Sequence, residues 1–147
     1  MVSRNGGFLV SQIKQLGGRI FERILDESKI DAFNGAQGRI LYVLWQTDSI
    51  PIIELSRKTG LANTTLTSML DRMEASGLIK RLFDPNDRRK IRIKLKEKAR
   101  QYKIAYDRVS KKMIDIYYEG FKNDEIDEFE GYLTRVLDNL KRSKYHE

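Results

Sequence analysis

Apolar residues in the first 27 positions recur at the spacing of one helix face. Leu9, Ile13, Leu16, Ile20 and Ile24 step by four or three, and Phe21 and Leu25 widen the stripe. The spacing predicts an amphipathic helix over Phe8–Glu27. The Gly17-Gly18 pair inside it costs about 1 kcal/mol per glycine relative to alanine, so a local bend or a close helix crossing is expected there. Gly35–Thr47 reads as a second helix, whose nearly continuous Ile40, Leu41, Val43, Leu44 and Trp45 call for burial on most sides. Thr47-Asp48-Ser49 breaks it, and Pro51 opens the next element at a position that proline tolerates.

Ile52–Thr59 is a short helix stopped by Gly60, the residue type that most readily takes a left-handed C-terminal conformation. Another helix follows at Asn63–Ser76, with Leu66, Met69, Leu70 and Met73 on one face and Gly77 at its end. Two short helices joined through a glycine turn make a helix-turn-helix. The period then changes to two. Leu78–Phe83 and Ile91–Leu95 read as strands, the second with Ile91, Ile93 and Leu95 on one face and Arg92, Lys94 and Lys96 on the other or just beyond. Between them, 84–90 supplies turn formers and then cations, which predicts a β-hairpin with a long basic tip. Tyr102, Tyr106, Val109, Met113 and Ile116 form a heptad-like seam within Glu97–Gly120. Ile126, Phe129, Leu133, Val136 and Leu140 form another in a last helix that Asn123 or Asp124 would cap. No repeat, low-complexity tract or linker interrupts the chain, so the helices at its two ends are expected in one structural unit.

Composition asks for little beyond one globular domain: 147 residues, 40% hydrophobic and 33% charged. No apolar run nears the roughly 20 residues that span a bilayer, and the start has no signal-peptide pattern. The absence of cysteine rules out disulfides, thiolate metal sites and thiol switches, and a cytoplasmic location is expected. The distribution of charge changes the picture. Arg72–Arg100 holds eleven Lys or Arg against four acids (Glu74, Asp84, Asp87 and Glu97), an excess equal to the +7 of the whole chain. A local excess of this kind marks a polyanion partner, which by charge alone is DNA, RNA or an anionic membrane surface.

The helix Asn63–Ser76 favours duplex DNA among these. Opposite its apolar stripe stand Asn63, Thr64, Thr65, Thr67, Ser68 and Arg72, mostly short hydrogen-bonding side chains of the kind that read base edges in a major groove. Four hydroxyls in five positions lower helix propensity with no packing gain, so they need another reason to be there. In the hairpin, Arg88, Arg89 and Lys90 would repel one another unless a polyanion sits against them, and arginine suits the minor groove. Asp87 would hold one of these arginines in place, and Lys80, Arg81, Arg92 and Lys94 are candidate phosphate contacts. Catalysis, metal binding and cofactors are not expected: the single histidine, His146, lies at the extreme C-terminus, and no glycine-rich phosphate loop is present. Seven tyrosines fit core packing, which their helical spacing favours, or a pocket for a small organic effector.

The segments Ile53-Glu54-Leu55-Ser56, Gly60-Leu61, Asn63-Thr64-Thr65-Leu66-Thr67, Leu70-Asp71-Arg72-Met73-Glu74, Gly77-Leu78-Ile79-Lys80-Arg81 and Asp84-Pro85-Asn86-Asp87-Arg88-Arg89-Lys90-Ile91-Arg92-Ile93-Lys94-Leu95 together resemble the MarR (multiple antibiotic resistance regulator) family. The resemblance extends to the flanking helices, including Gln37 and Leu41. It implies a mainly α (α+β) fold: a winged helix-turn-helix over 34–96 with a two-stranded wing, flanked by dimerisation helices at 1–33 and 97–147. It also implies a homodimeric transcriptional regulator, expected as a repressor, on a pseudo-palindromic operator with half-sites about 34 Å apart. Thr64, Thr65 and Ser68 would face bases, and Arg72 a base or phosphate. Arg88 or Arg89 would enter the minor groove, oriented by Asp87. Relatives often bind phenolic effectors. The other reading of the same surface is a non-specific architectural DNA binder. Ser68 stands where many relatives carry arginine, and Ala62 where a capping Asp or Ser is common, which leaves Asn63 as the expected cap. Lys96 and Lys98 replace the usual threonine and glycine after the wing.

Overall fold

The computed structural model describes residues 3–146, apart from the side chains of Arg88 and Arg89. Helix α1 (Gly6–Glu27) runs unbroken through Gly17-Gly18. A Cβ built at Gly17 would meet only Met113 Cε, at 3.5 Å, and one at Gly18 nothing within 4 Å, so neither position is a close crossing within the chain. Only the end of α1 is buried, at Ile24 and Leu25; Phe8, Leu9, Val10, Ile13, Leu16 and Ile20 remain exposed.

The core gathers around α2 (Gly35–Gln46). Asn34 caps it by accepting from the Gln37 amide at 2.8 Å, while the Gln37 side chain accepts from the Asn34 amide at 3.1 Å. Ile40, Leu41 and Leu44 are fully enclosed, which is why apolar residues run almost continuously here. Gly38 lets the Tyr106 ring approach so closely that a Cβ would lie 2.7 Å from its Cε2. Phe21, Phe33, Trp45, Tyr102 and Tyr106 pack edge-on or tilted, with centroids 5.1 to 6.4 Å apart. Tyrosines 102 and 106 are therefore packing residues.

A turn with Ser49 at φ 57° leads into β1 (Ile50–Pro51), then α3 (Ile52–Thr59), Gly60 at φ 74° and α4 (Asn63–Ala75). Strands β2 (Ile79–Asp84) and β3 (Asp87–Leu95) pair antiparallel, and β1 joins on the far side of β3 through Ile50↔Ile93 and Pro51↔Arg92. The sheet thus has three strands where the alternation of apolar residues showed two, because a two-residue strand is too short to have a period. The hairpin tip is also tighter than expected. Asp84 pairs with Asp87, leaving Pro85-Asn86 as the turn, and the Asp84 carboxylate accepts from the Asn86 amide at 2.8 Å. The backbone of Arg88–Lys90 belongs to β3, whose ladder shifts register between Phe83 and Asp84.

The helix expected over Glu97–Gly120 is broken. α5 (Glu97–Arg100) ends in a turn at Gln101-Tyr102 before α6 (Lys103–Tyr117) begins. The Ala99 carbonyl accepts from the Tyr102 amide at 3.2 Å and from Trp45 Nε1 at 3.1 Å, so a half-buried indole holds the acceptor of the tightened turn. The described chain divides after Met113 into two compact units. In the second, Tyr118 packs edge-on against Tyr117, Phe121 and Phe129 and donates to Glu130 Oε2 at 2.6 Å. α7 (Asn123–Arg142) is preceded by Lys122, whose amide donates to Glu125 Oε1, so the side chains of Asn123 and Asp124 are not the cap. α7 buries no residue fully, and Tyr132, Val136, Leu137 and Leu140 are exposed.

Candidate nucleic-acid interface

The helix-turn-helix is tied internally before it presents anything to solvent. Thr59 Oγ1 donates back to the Leu55 carbonyl at 2.7 Å, and Ser56 Oγ donates across the Gly60 turn to the Leu61 carbonyl at 2.8 Å. Leu66, Leu70 and Met73 are fully buried and Met69 nearly so, which fixes the rotation of α4. Asn63, Thr64, Thr65, Thr67, Ser68 and Arg72 consequently lie exposed on its opposite side. None of these six side chains hydrogen-bonds to another described residue, so their donors and acceptors are open to an outside partner. Asn63 is not the cap. Ala62 holds that position in an extended conformation, without a side-chain bond to the helix.

The wing divides its cations by face. Directly paired residues share a face, so Lys80, Leu82, Arg92 and Lys94 line one side and Ile79, Arg81, Phe83, Ile91, Ile93 and Leu95 the other. Lys80, Lys90 and Arg92 are exposed; Lys94 and Asp87 are half-buried. Arg81 departs from the expected phosphate set. Its guanidinium reaches Asp71 at 2.7 Å and Glu74 at 2.9 Å, with its side chain only 15% exposed, and so fastens α4 to β2. The expected insertion of Arg88 or Arg89, and the orienting of either by Asp87, concern side chains outside the described residues.

At the root of the wing is a set of contacts that the sequence did not single out. Asp48 Oδ1 accepts from the Leu95 amide at 2.9 Å and from the Ser49 amide at 2.7 Å, and Oδ2 accepts from Arg100 Nη2. Arg92 Nη1 donates to the Ser49 carbonyl at 2.8 Å. In the sequence, Asp48 is one polar residue in a helix-breaking triplet, and nothing there signals a partner 47 residues on.

Away from the wing, a cleft of about 380 Å³ opens between α1 and the start of α2, lined by Lys14, Arg19, Phe21, Glu22 and Arg39 among others. Glu22 is spoken for, since its Oε1 accepts from the Gly35 amide. The cleft therefore offers three cations and an aromatic wall.

A helix-turn-helix with a free polar reading face, followed by a basic hairpin, defines a winged-helix DNA-binding protein. The family model described as "MarR family" matches residues 33–91. The chain is 34% identical over 101 residues to the uncharacterized HTH-type transcriptional regulator YsmB of Bacillus subtilis, a match covering 67% of this chain and 68% of that protein. It superposes on a mutant MarR from E. coli complexed with operator DNA with a TM-score of 0.79 at 26% identity, over 89% of this chain and 92% of the other. BpsR of Bordetella bronchiseptica, whose DNA binding is regulated by 6-hydroxynicotinic acid, shares the fold with a TM-score of 0.79 at 21% identity, over 92% and 99% of the two chains. The chain belongs to the MarR family. It is a DNA-binding transcriptional regulator and not an enzyme.

Proposed function

We propose that the chain acts in the cytoplasm as a homodimeric repressor. It binds a pseudo-palindromic operator with α4 in the major groove and the hairpin 84–90 in the adjacent minor groove. The observation that carries this reading is the open polar face of α4, beside a basic hairpin within Arg72–Arg100, the segment whose charge excess equals that of the whole chain. Thr64, Thr65 and Ser68 contact base edges, with Asn63 and Thr67 beside them and Arg72 on a base or phosphate. Lys80, Lys90 and Arg92 contact phosphates, and Arg88 or Arg89 enters the minor groove with Asp87 orienting it. Arg81 contributes by holding α4 in place.

Two further features support the assembly and its control. α1 carries Phe8, Leu9, Val10, Ile13, Leu16 and Ile20 exposed, and α7 carries Tyr132, Val136, Leu137 and Leu140 exposed. Such faces suit a dimerisation unit formed from the segments 1–33 and 97–147 of two copies. The cleft with Lys14, Arg19, Phe21 and Arg39 suits a small aromatic acid as effector, the class of molecule that regulates BpsR.

Selection of bound sequences from a random duplex pool tests the reading. A palindromic motif with half-sites one helical turn apart supports it. Equal binding of the selected and scrambled duplexes at physiological salt replaces it with non-specific architectural binding. With the motif placed over a promoter, in-vitro transcription that falls on adding protein and returns on adding an aromatic acid tests repression and effector control.

A further inference from the structure

We infer that Asp48 is the positioning residue of the wing, a clasp that sets the direction in which β3 leaves the protein. The inference rests on the reading of the wing as a DNA contact. Its physical basis is the shortness of β1. Only Ile50 and Pro51 pair with β3, so β1 ends before it reaches the residue opposite Leu95. The next ladder position on that side of β3, the amide of the buried Leu95, meets the side chain of Asp48 instead of a strand backbone. A carboxylate thus does the work of a strand residue.

The conformation of the turn makes this possible. Ser49 sits at φ 57°, a left-handed conformation uncommon outside glycine, asparagine and aspartate, and its amide donates to the same Oδ1 atom that receives Leu95. Its carbonyl accepts from Arg92. The other carboxylate oxygen receives Arg100, in the first helix after the wing. Two consecutive residues therefore hold β3 at Arg92 and Leu95 and tie its end to α5. Further out the hairpin leaves the core: Ile93 is fully enclosed, whereas Phe83, paired with Ile91, is 67% exposed. A projection without core beneath it takes its angle from its root. One side of that root is fastened by Arg81 to α4, and the other by Asp48.

Two measurements on the full chain test this, using Asp48→Ala, Asp48→Asn and Arg100→Ala. The first is amide hydrogen exchange without DNA. The Leu95 amide should exchange at least about tenfold faster in Asp48→Ala, and stay protected in Asp48→Asn, whose side-chain oxygen still accepts. The second is affinity for a duplex selected on the wild-type protein, measured at several salt concentrations. Asp48→Ala should bind roughly tenfold more weakly with a shallower salt dependence, while its preferred bases under α4 stay the same. Asp48→Asn and Arg100→Ala should share a smaller loss of about threefold. Unchanged Leu95 exchange in Asp48→Ala overturns the clasp. Faster exchange with wild-type affinity and salt slope overturns its role in positioning. If Asp48→Ala fails to fold, Asp48→Asn and Arg100→Ala decide: wild-type affinity in both overturns the inference. Failure of the wild-type protein to discriminate between duplexes overturns the operator reading instead, and leaves the exchange result standing.

Discussion

Glu74 receives both the backbone amide and the guanidinium of Arg81, at 3.0 and 2.9 Å, so one carboxylate joins the last turn of α4 to the first residues of the wing. Asp71 completes the grip from one turn earlier. Charged hydrogen bonds to a guanidinium this well covered exceed ordinary surface pairs. Arg81→Ala should lower the unfolding free energy by about 1–3 kcal/mol in urea titration. Lys58→Ala, which breaks an exposed pair with Glu54 at 3.6 Å, should change it by less than about 0.5 kcal/mol.

Glycines 38 and 18 should respond in opposite directions. A methyl at position 38 meets the Tyr106 ring at 2.7 Å inside a packed aromatic cluster, and Gly38→Ala should cost about 1–3 kcal/mol. Position 18 has nothing within 4 Å in the middle of a helix, and Gly18→Ala should gain up to about 1 kcal/mol. Thermal unfolding of the two variants side by side reads both signs.

The division of labour between helix and wing predicts two kinds of binding defect. Thr65→Ala should relax base preference at one position of each half-site and leave the salt dependence intact. Arg89→Ala should weaken binding to many sequences alike and reduce the slope of log affinity against log salt by about one contact. Unchanged affinity in the arginine variant at two salt concentrations removes the wing from the mechanism.

The exposed face of α1 predicts that a charge there disrupts assembly. Leu16→Asp, at a position 52% exposed in the single chain, should shift the sedimentation coefficient from dimer to monomer at micromolar concentration with its helix content retained. A wild-type protein that sediments as a monomer contradicts the dimer outright.

Tyr118 predicts a late alkaline step. Burial, together with its hydrogen bond to Glu130 and the charge there, pushes its hydroxyl up to about 12 from the ordinary 10.0. Because the folded value lies above the unfolded one, the stability it contributes is complete below pH 10 and lost as pH rises through about 12. Tyrosinate absorbance should show this step in the wild type and not in Tyr118→Phe.

Much of the architecture was legible because long helices repeat their period several times. α1, α2 and α4 stand within two residues of the ranges their apolar spacing marks, and Gly60 and Gly77 end α3 and α4 as glycines should, at φ 74° and 82°. What escaped was decided by partners distant in sequence. The break at Gln101-Tyr102 depends on an indole 54 residues away from the carbonyl it holds, and β1 exists only because β3 lies beside it. The candidate site shows the same split. The polar face of α4 follows from its own periodicity, but Arg81 looked like another free cation of the wing. Its carboxylate partners are seven and ten residues upstream, and only the chain's turn at Gly77 brings them to it.

The short β1 has a consequence for how the protein behaves in quantity. It covers β3 only at Ile93 and Arg92, so the length from Asp87 to Ile91 has no β1 residue beside it, an edge onto which a strand of another molecule could add. That stretch carries Arg88-Arg89-Lys90, and two such edges brought together would set six cations against one another. The wing is therefore guarded against aggregation by the charge that would draw it to phosphate. Neutralising these residues to weaken DNA binding should make the protein less soluble as well.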